Sequence, residues 1–369
     1  MTANLRQVAA RAGVSIRTVS NVVSGFAQVA PQTRARVQQA IDELGYRPNA
    51  AARHLRGGRS GLIALAVPEI ASPYFGELAG LLAQEAEKRG WMVLVQQTDG
   101  DAGRERRLLD GVRGQVVDGL VLSPWALSPQ DLRRAPGGVP LVLLGEQDAD
   151  GLLDHVAVDS VAAAREATQH LITLGRTRIA AIGPQPHLLN GTAARRLDGY
   201  RQALANAGLP ADPTLEIPVA RLHRPDGAAA MATLLDTGRP VDAIFCFSDQ
   251  LALGAMQTAT RRGLRIPADL AVVGFDDIED GRYATPPLTT ISPDKPAIAR
   301  EALACLAAHF TNPPPTHPPR HIVAAHRLTI RESTTTHDRP ATATATAGTA
   351  TTAGTATTAT AGTLHDDAE

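Results

Sequence analysis

The sequence has two cysteines in 369 residues, Cys246 and Cys305, and neither sits in a C-x-x-C pair or a His cluster at metal-ligand spacing. This argues against a disulfide framework and against structural zinc. No run of about 18 apolar residues occurs anywhere, so no spanning helix is expected. The first fifteen residues are polar and charged throughout, with no apolar stretch of signal-peptide length, and a cytoplasmic location is expected. The motifs of common doubly wound enzymes are missing too. No G-x-G-x-x-G follows the first apolar strand pattern, and there is no P-loop, G-x-S-x-G or H-E-x-x-H. Neither an enzyme, a cofactor nor a metal site is expected.

Acidic residues are scarce in one place. Residues 1–60 hold Arg6, Arg11, Arg17, Arg34, Arg36, Arg47, Arg53, Arg56 and Arg59 against Asp42 and Glu43, roughly +7, which leaves roughly -8 on the remainder. The near-neutral total hides a basic head on an acidic body, the distribution of a polyanion-binding module joined to a second module.

Apolar residues in the head recur at helical spacing: Leu5, Val8, Ala9 and Ala12, then Val14, Val19, Val22 and Val23, then Val37, Ala40, Ile41 and Leu44. Three short helices would bury them together. Gly13 breaks the first two, Pro31 opens the third, and Gly45 sits where a left-handed cap is wanted. Ser15 can cap the second helix, and Val14 and Val19 stand at the positions of a hydrophobic staple. These are the marks of a helix-turn-helix, whose second helix enters a major groove by its N-terminal residues. With the valines inward, Ile16, Arg17, Ser20, Asn21 and Ser24 point outward. An Arg can fork onto guanine, an Asn onto adenine, an Ile can touch a thymine methyl, and hydroxyls suit phosphates. The residues alone also fit a plain three-helix bundle with a solvated basic face.

Beyond Gly61 short apolar runs alternate with amphipathic stretches. Strands are expected over 62–67, 92–95, 119–122, 141–144, 179–182, 243–247 and 270–273, with helices over 75–89, 161–174, 193–207, 249–262 and 297–310. Alternation of this kind implies parallel sheets covered on both faces, and the stretch is long enough for two lobes. From about Thr334 the chain is almost all Thr, Ala and Gly and is expected to be a disordered tail.

The head resembles the lac repressor family in Val8-Ala9 through Ser20, in Thr33-Arg34-Ala35-Arg36-Val37, and in Glu43-Leu44-Gly45-Tyr46-Arg47-Pro48-Asn49-Ala50-Ala51-Ala52. The resemblance continues through Asp118-Gly119, Val158-Asp159, His170-Leu171, Asp249-Gln250-Leu251-Ala252-Leu253-Gly254-Ala255, Val272-Val273-Gly274-Phe275-Asp276-Asp277 and Pro286-Pro287-Leu288-Thr289-Thr290-Ile291, covering about residues 3–333. It implies a fold of an N-terminal all-α helix-turn-helix domain plus an α/β core of two doubly wound, periplasmic-binding-protein-like lobes. The domains would be 1–47 for the head, 48–58 for a hinge helix, 59–333 for the core and 334–369 for the tail.

Carried over by position, Ile16, Arg17 and Asn21 would read bases. Asn21 departs from the Arg more often found there, which leaves the operator sequence open. Leu5, Ser15, Thr18, Ser20, Ser24, Val29, Thr33, Tyr46 and Asn49 would contact the DNA backbone. The segment 49–56 is helical by propensity but shorter than an isolated helix needs in water. In the family such hinges pair over the minor groove and wedge a Leu between base steps. Leu55 holds that position, and the small Ala52 permits the close approach. A plain linker with Leu55 packed on the core is the other reading.

For the core, the resemblance implies an effector bound between the lobes near the carboxyl ends of the strands. Arg196 would anchor it and Asp276 would accept a hydroxyl or amine. Tyr74 and Phe75 match an aromatic loop, Trp125 follows a strand, and Ser248 stands where an Asn is common. Gly145-Glu146 replaces a usual Asp-Arg pair and Pro293 a Gln, so a ligand different from those of well-known members is expected. Arg196 with Asp276 as a structural ion pair, and Trp125 as core, are the competing readings. The function implied is a repressor controlled by a small-molecule effector, expected to be a sugar, acting on a near-palindromic double-stranded operator as a homodimer or tetramer. A corepressor-dependent regulator or activator stays open within the family, and a solute-binding protein without DNA function outside it.

Overall fold

The computed structural model describes residues 3–23, 28–46, 59–111, 117–134, 139–147, 151–188, 191–311 and 318–335. Ser24, Asn49, Ala52 and Leu55, with the rest of the expected hinge and the tail from residue 336, lie outside them.

The head folds as three helices, α1 (Leu5–Ala12), α2 (Ile16–Val23) and α3 (Pro31–Glu43). Asn4 and Gln7 cap α1 reciprocally: each side-chain oxygen accepts the other's backbone N–H, at 3.1 and 2.8 Å. Gly13 ends the helix in the left-handed region at φ 65°, where an L side chain is strained. The expected cap forms, with the Ser15 hydroxyl oxygen accepting the Thr18 N–H at 3.1 Å. Val8, Val19, Val22, Val37 and Ala40 close the small core between the helices.

The rest of the chain alternates strand and helix. In order come β1 (Leu62–Val67), α4 (Pro73–Glu87), β2 (Met92–Gln97), α5 (Ala102–Gly111), β3 (Gly119–Leu122), α6 (Pro129–Arg133), β4 (Leu141–Leu144) and β5 (Asp154–Val158). Then follow α7 (Ser160–Thr173), β6 (Ile179–Ile182), α8 (Thr192–Asn206), β7 (Glu216–Ile217), α9 (Arg224–Asp236), β8 (Ala243–Cys246), α10 (Asp249–Arg261), β9 (Ala271–Phe275), α11 (Glu279–Arg282) and β10 (Thr289–Pro293). The chain ends its ordered course with α12 (Lys295–His309), β11 (His321–Ala324) and β12 (His326–Thr329). One sheet runs β11-β5-β4-β3-β1-β2, all parallel. The other runs β12-β10-β9-β8-β6-β7, parallel except that β12 opposes β10.

The order of elements makes the chain cross between lobes three times. After β5 of the first sheet, α7 packs on the second lobe through Ala163, Ala164, Ala167 and Leu171. After β10 of the second sheet, α12 returns to the first through Ile298, Ala302, Leu303 and Leu306. The third crossing is the single residue between β11 and β12. Both helical crossings begin with an Asp cap, Asp159 accepting the Ala162 N–H and Asp294 the Ala297 N–H, each at 2.9 Å. The Asp294 N–H also donates to the Ala325 carbonyl at 2.9 Å, tying two crossings together.

The expected strands all form, within two residues at each end. Five that the apolar pattern does not announce are β5, β7, β10, β11 and β12. In β10, Thr289 and Thr290 are fully buried because partners are built for them: Thr290 donates to Asp249 at 2.5 Å and Thr289 to the Arg331 carbonyl at 2.9 Å. The packed chain also runs past the expected start of the tail, since Thr334 is buried and meets His170 Nε2 at 3.0 Å. Among the described residues no helix is long and apolar enough to cross a membrane.

Candidate functional site

Two surfaces carry chemistry. On the head, α2 buries Val19 and Val22 and leaves Ile16 and Arg17 exposed at its first turn, with Asn21 one turn further and half-buried. Ser15 and Thr18 share a hydroxyl contact of 2.9 Å beside them, and Ser20 and Thr33 are half-exposed. Leu5, Val29 and Tyr46 pack against the three-helix core, so their side chains serve the bundle first.

The second surface is a cleft between the lobes, lined by the loops at the carboxyl ends of both parallel sheets. There open α/β sheets leave room, because strand ends diverge and helix starts face inward. All six expected residues line it: Tyr74, Phe75 and Trp125 from the first lobe, and Arg196, Ser248 and Asp276 from the second.

Arg196 rises from α8 into the cleft and is only 7% exposed. Its guanidinium stacks 3.4 Å above the centre of the Phe275 ring, and Nη1 donates to the Phe247 carbonyl. Nη2 lies 3.7 Å from Asp276 Oδ1, a distance of ionic attraction rather than of a hydrogen bond. The Nε–H is buried and meets no acceptor among the described residues. A donor left in that state costs free energy until something accepts from it. A tightly closed structural ion pair would be nearer to hydrogen-bond distance than this.

Asp276 sits on a strained turn, its N–H donating to the Ile291 carbonyl at 2.9 Å, above a deeper carboxylate. Its backbone has φ 112° and that of Asp277 φ 48°, conformations that non-glycine residues rarely adopt. Beneath them Asp249 is fully buried and accepts the Ile278 N–H at 2.9 Å as well as the Thr290 hydroxyl. Asp277 turns away to Arg331 at 2.6 Å and Ser292 at 2.9 Å. Burial raises the Asp276 carboxyl from 3.8 to about 6, with Arg196 and Lys295 opposing. Ser248 is spent locally: its hydroxyl donates to the Leu222 carbonyl at 2.9 Å and accepts the Leu251 N–H at 3.1 Å as the cap of α10.

The first lobe supplies the apolar wall. Tyr74 and Phe75 meet edge-on at 5.2 Å between centroids, and Phe75 and Trp125 lie 6.2 Å apart. Such faces suit the C–H side of a sugar ring. Further residues line the cleft, Glu69 and His223 not foreseen and Glu146 marked in the sequence only as a departure from the family. Glu69 after β1 lies 2.6 Å from His223 Nε2 on the opposite lobe, and Glu146 after β4 lies 3.2 Å from Arg195 Nε. Burial pushes Glu146 above the ordinary carboxylate range, against a hydrogen bond from Ser160. Behind the cleft, Lys295 donates to Glu77 of the first lobe and to the carbonyls of Asp276 and Asp277 at 2.9 and 3.1 Å. Their signal was positional: Glu69 and Glu146 follow strands of a parallel sheet at its ligand-binding end.

Comparison with known proteins matches residues 4–49 to the model of bacterial regulatory proteins, lacI family, and residues 168–334 to a periplasmic binding protein-like domain. The chain is 37% identical to the HTH-type transcriptional regulator CelR of Thermobifida fusca over 344 residues, 89% of this chain and 97% of that one. A solved CelR–cellobiose complex superposes with a TM-score of 0.66 at 34% identity, covering 90% of this chain and 99% of that one. The lac repressor dimer bound to operator superposes with a TM-score of 0.78 at 28% identity, with the same coverage.

Proposed function

The chain belongs to the lacI family of bacterial regulatory proteins, and from that premise we propose that it is a DNA-binding transcriptional repressor whose operator affinity is set by a neutral sugar held between the lobes. In this reading the head spans 1–47, a hinge 48–58, the core 59 to the packed residues 334–335 and a tail the remainder, and the protein works in the cytoplasm. Ile16, Arg17 and Asn21 read bases; Ser15, Thr18, Ser20 and Thr33 hold the phosphates. The effector acts as an inducer that releases DNA, and an effector that tightened operator binding would overturn that part.

The observation that carries the effector half is the buried Arg196 with its unpartnered Nε–H beside the Asp276 carboxylate. A donor fork and an acceptor at that spacing grip vicinal hydroxyls, and the facing aromatic wall takes the apolar face of the ring. The other acids lining the cleft, Glu69 and Glu146, disfavour an anionic ligand. The bound cellobiose of the CelR complex makes cello-oligosaccharides the first sugars to try. A melting-temperature screen of neutral mono- and disaccharides tests this: the reading expects one of them to raise the transition, and sugar phosphates or uronates to leave it unmoved. If only acidic sugars shift it, the ligand assignment fails.

Asp276 gives the site a pH signature. A carboxyl raised to about 6 stabilises the fold below its unfolded value of 3.8, and that contribution is lost as pH rises through about 6. The ionised carboxylate accepts from sugar hydroxyls with both oxygens and more strongly than the protonated acid does. Sugar affinity is therefore expected to fall as pH drops through about 6, while the free protein gains stability from this group. From pH 7.5 down to pH about 5, calorimetric titration reads the affinity and thermal melting of the free protein reads the stability.

The partner surface is the edge strand β2. Met92, Leu94 and Val95 are 62, 43 and 41% exposed, an apolar edge of a kind that monomers avoid. A second copy covering it makes the two-fold dimer that a palindromic operator requires. Leu94→Lys is expected to shift the dimer toward monomer in sedimentation velocity and to weaken operator binding by at least ~100-fold, because two half-sites no longer bind together. An unchanged dimer would place the interface elsewhere.

A further inference from the structure

Glu105 on α5 is fully buried and has no cationic partner among the described residues. Its Oε1 accepts the Trp125 N–H at 2.9 Å and the Thr98 hydroxyl at 3.4 Å, while Oε2 accepts the N–H groups of Ala126 and Leu127, both at 3.1 Å. Three amides thus bond the carboxylate, and the Thr98 hydroxyl, shared at 3.4 Å with the Val67 carbonyl, approaches its remaining lone-pair site. The Trp125 ring is held from the other side. Gly100 lies so close that a Cβ there would stand 3.0 Å from Trp125 Cε3, and the Gly100 N–H donates to Thr98 Oγ1 at 3.4 Å. The turn ending β2 therefore grips the ring, and Glu105 grips the backbone.

We propose that Glu105 is a positioning residue of the effector cleft, which sets Trp125 in the aromatic wall by fixing three consecutive amides of its loop. Burying a charge with no counterion is costly, and a loop that merely had to be closed is served by a neutral partner. What the ionised carboxylate alone provides is two oxygens that each accept twice, so that no amide of the 125–127 run is left to swing the indole out of register. The effector meets the ring, never Glu105. The inference rests on the cleft being the effector site, but it concerns the placement of the wall and can be tested with the cleft empty.

Glu105→Gln keeps the size and removes one acceptor. With the amide oxygen on Ala126 and Leu127 and its nitrogen toward Thr98, a donor faces the Trp125 N–H. The full-length variant is compared with the parent by hydrogen exchange over peptide 123–128 and by acrylamide quenching of Trp125 in a Trp91→Phe background. Trp91, packed edge-on to Phe310 at 5.2 Å in the same lobe, is the control in a Trp125→Phe background. The expected result is exchange at the Trp125 amide at least ~10-fold faster, as for one lost hydrogen bond to a charged group, with greater quenching of Trp125 and unchanged quenching of Trp91. Unchanged exchange and quenching at Trp125, or equal loosening of both tryptophans, would overturn the proposal. Glu105→Asp, which keeps the charge but cannot reach all three amides, is expected to fall between parent and Glu105→Gln. A failed sugar screen would leave this result standing, and the reverse holds too.

Discussion

Arg196→Ala is expected to abolish the response to sugar. The guanidinium supplies the donors nearest Asp276, and its removal leaves that carboxylate buried with its closest countercharge gone. Hydrogen bonds to charged groups contribute ~1.5–3 kcal/mol each, so losing two costs on the order of 3–6 kcal/mol, a fall in affinity of at least ~100-fold. Calorimetry with the sugar identified by melting should show no binding, and operator should no longer be released at sugar concentrations that saturate the parent. Operator binding without sugar controls for folding. Arg196→Lys is expected to recover little, because an ammonium neither stacks flat on Phe275 nor forks. Sugar release of operator that survives Arg196→Ala would move the pocket elsewhere.

Arg17→Ala is expected to relax the operator at a single base position in each half-site. Arg17 is exposed on the first turn of α2, where a recognition helix meets base edges, and its fork matches guanine O6 and N7. The loss should be roughly 1–3 kcal/mol against the preferred base and small against the others, read by binding to a set of single-base operator variants. A uniform loss across all variants, with a shallower salt dependence, would assign Arg17 to phosphate instead. Ser15 and Thr18 behave oppositely in this account, since hydroxyls on the backbone fix register without choosing bases.

Much of this architecture was legible because burial and sequence agree locally. The head's valines recur at helical spacing and are the residues that close its core, and Gly13 and Ser15 do what their chemistry suggests. The central strands announce themselves as apolar runs because both faces are covered. The strands that were not legible are those whose residues are polar and satisfied by distant partners, as Thr290 is by Asp249, or lie exposed at an edge, as Val323 does in β11. In the cleft, Arg196 and Asp276 were found through family resemblance and are brought together by the fold across eighty residues of chain. Glu146 was marked only as a departure from the family's Asp-Arg pair, and Glu69 and His223 read as ordinary loop polarity until two lobes face each other. Glu105 was the least legible: in a polar helix it reads as a surface acid, and only the loop returning after β3 buries it.

The central claim, that this chain reads a two-fold DNA site and gives it up to a sugar, is tested most directly by selecting genomic fragments with the purified protein in low salt. The bound DNA is sequenced with and without a pool of neutral sugars that includes cellobiose. The account predicts one short, near-palindromic sequence enriched without sugar and lost when the pool is added. No enriched sequence under either condition, or enrichment only when the sugars are present, would contradict it.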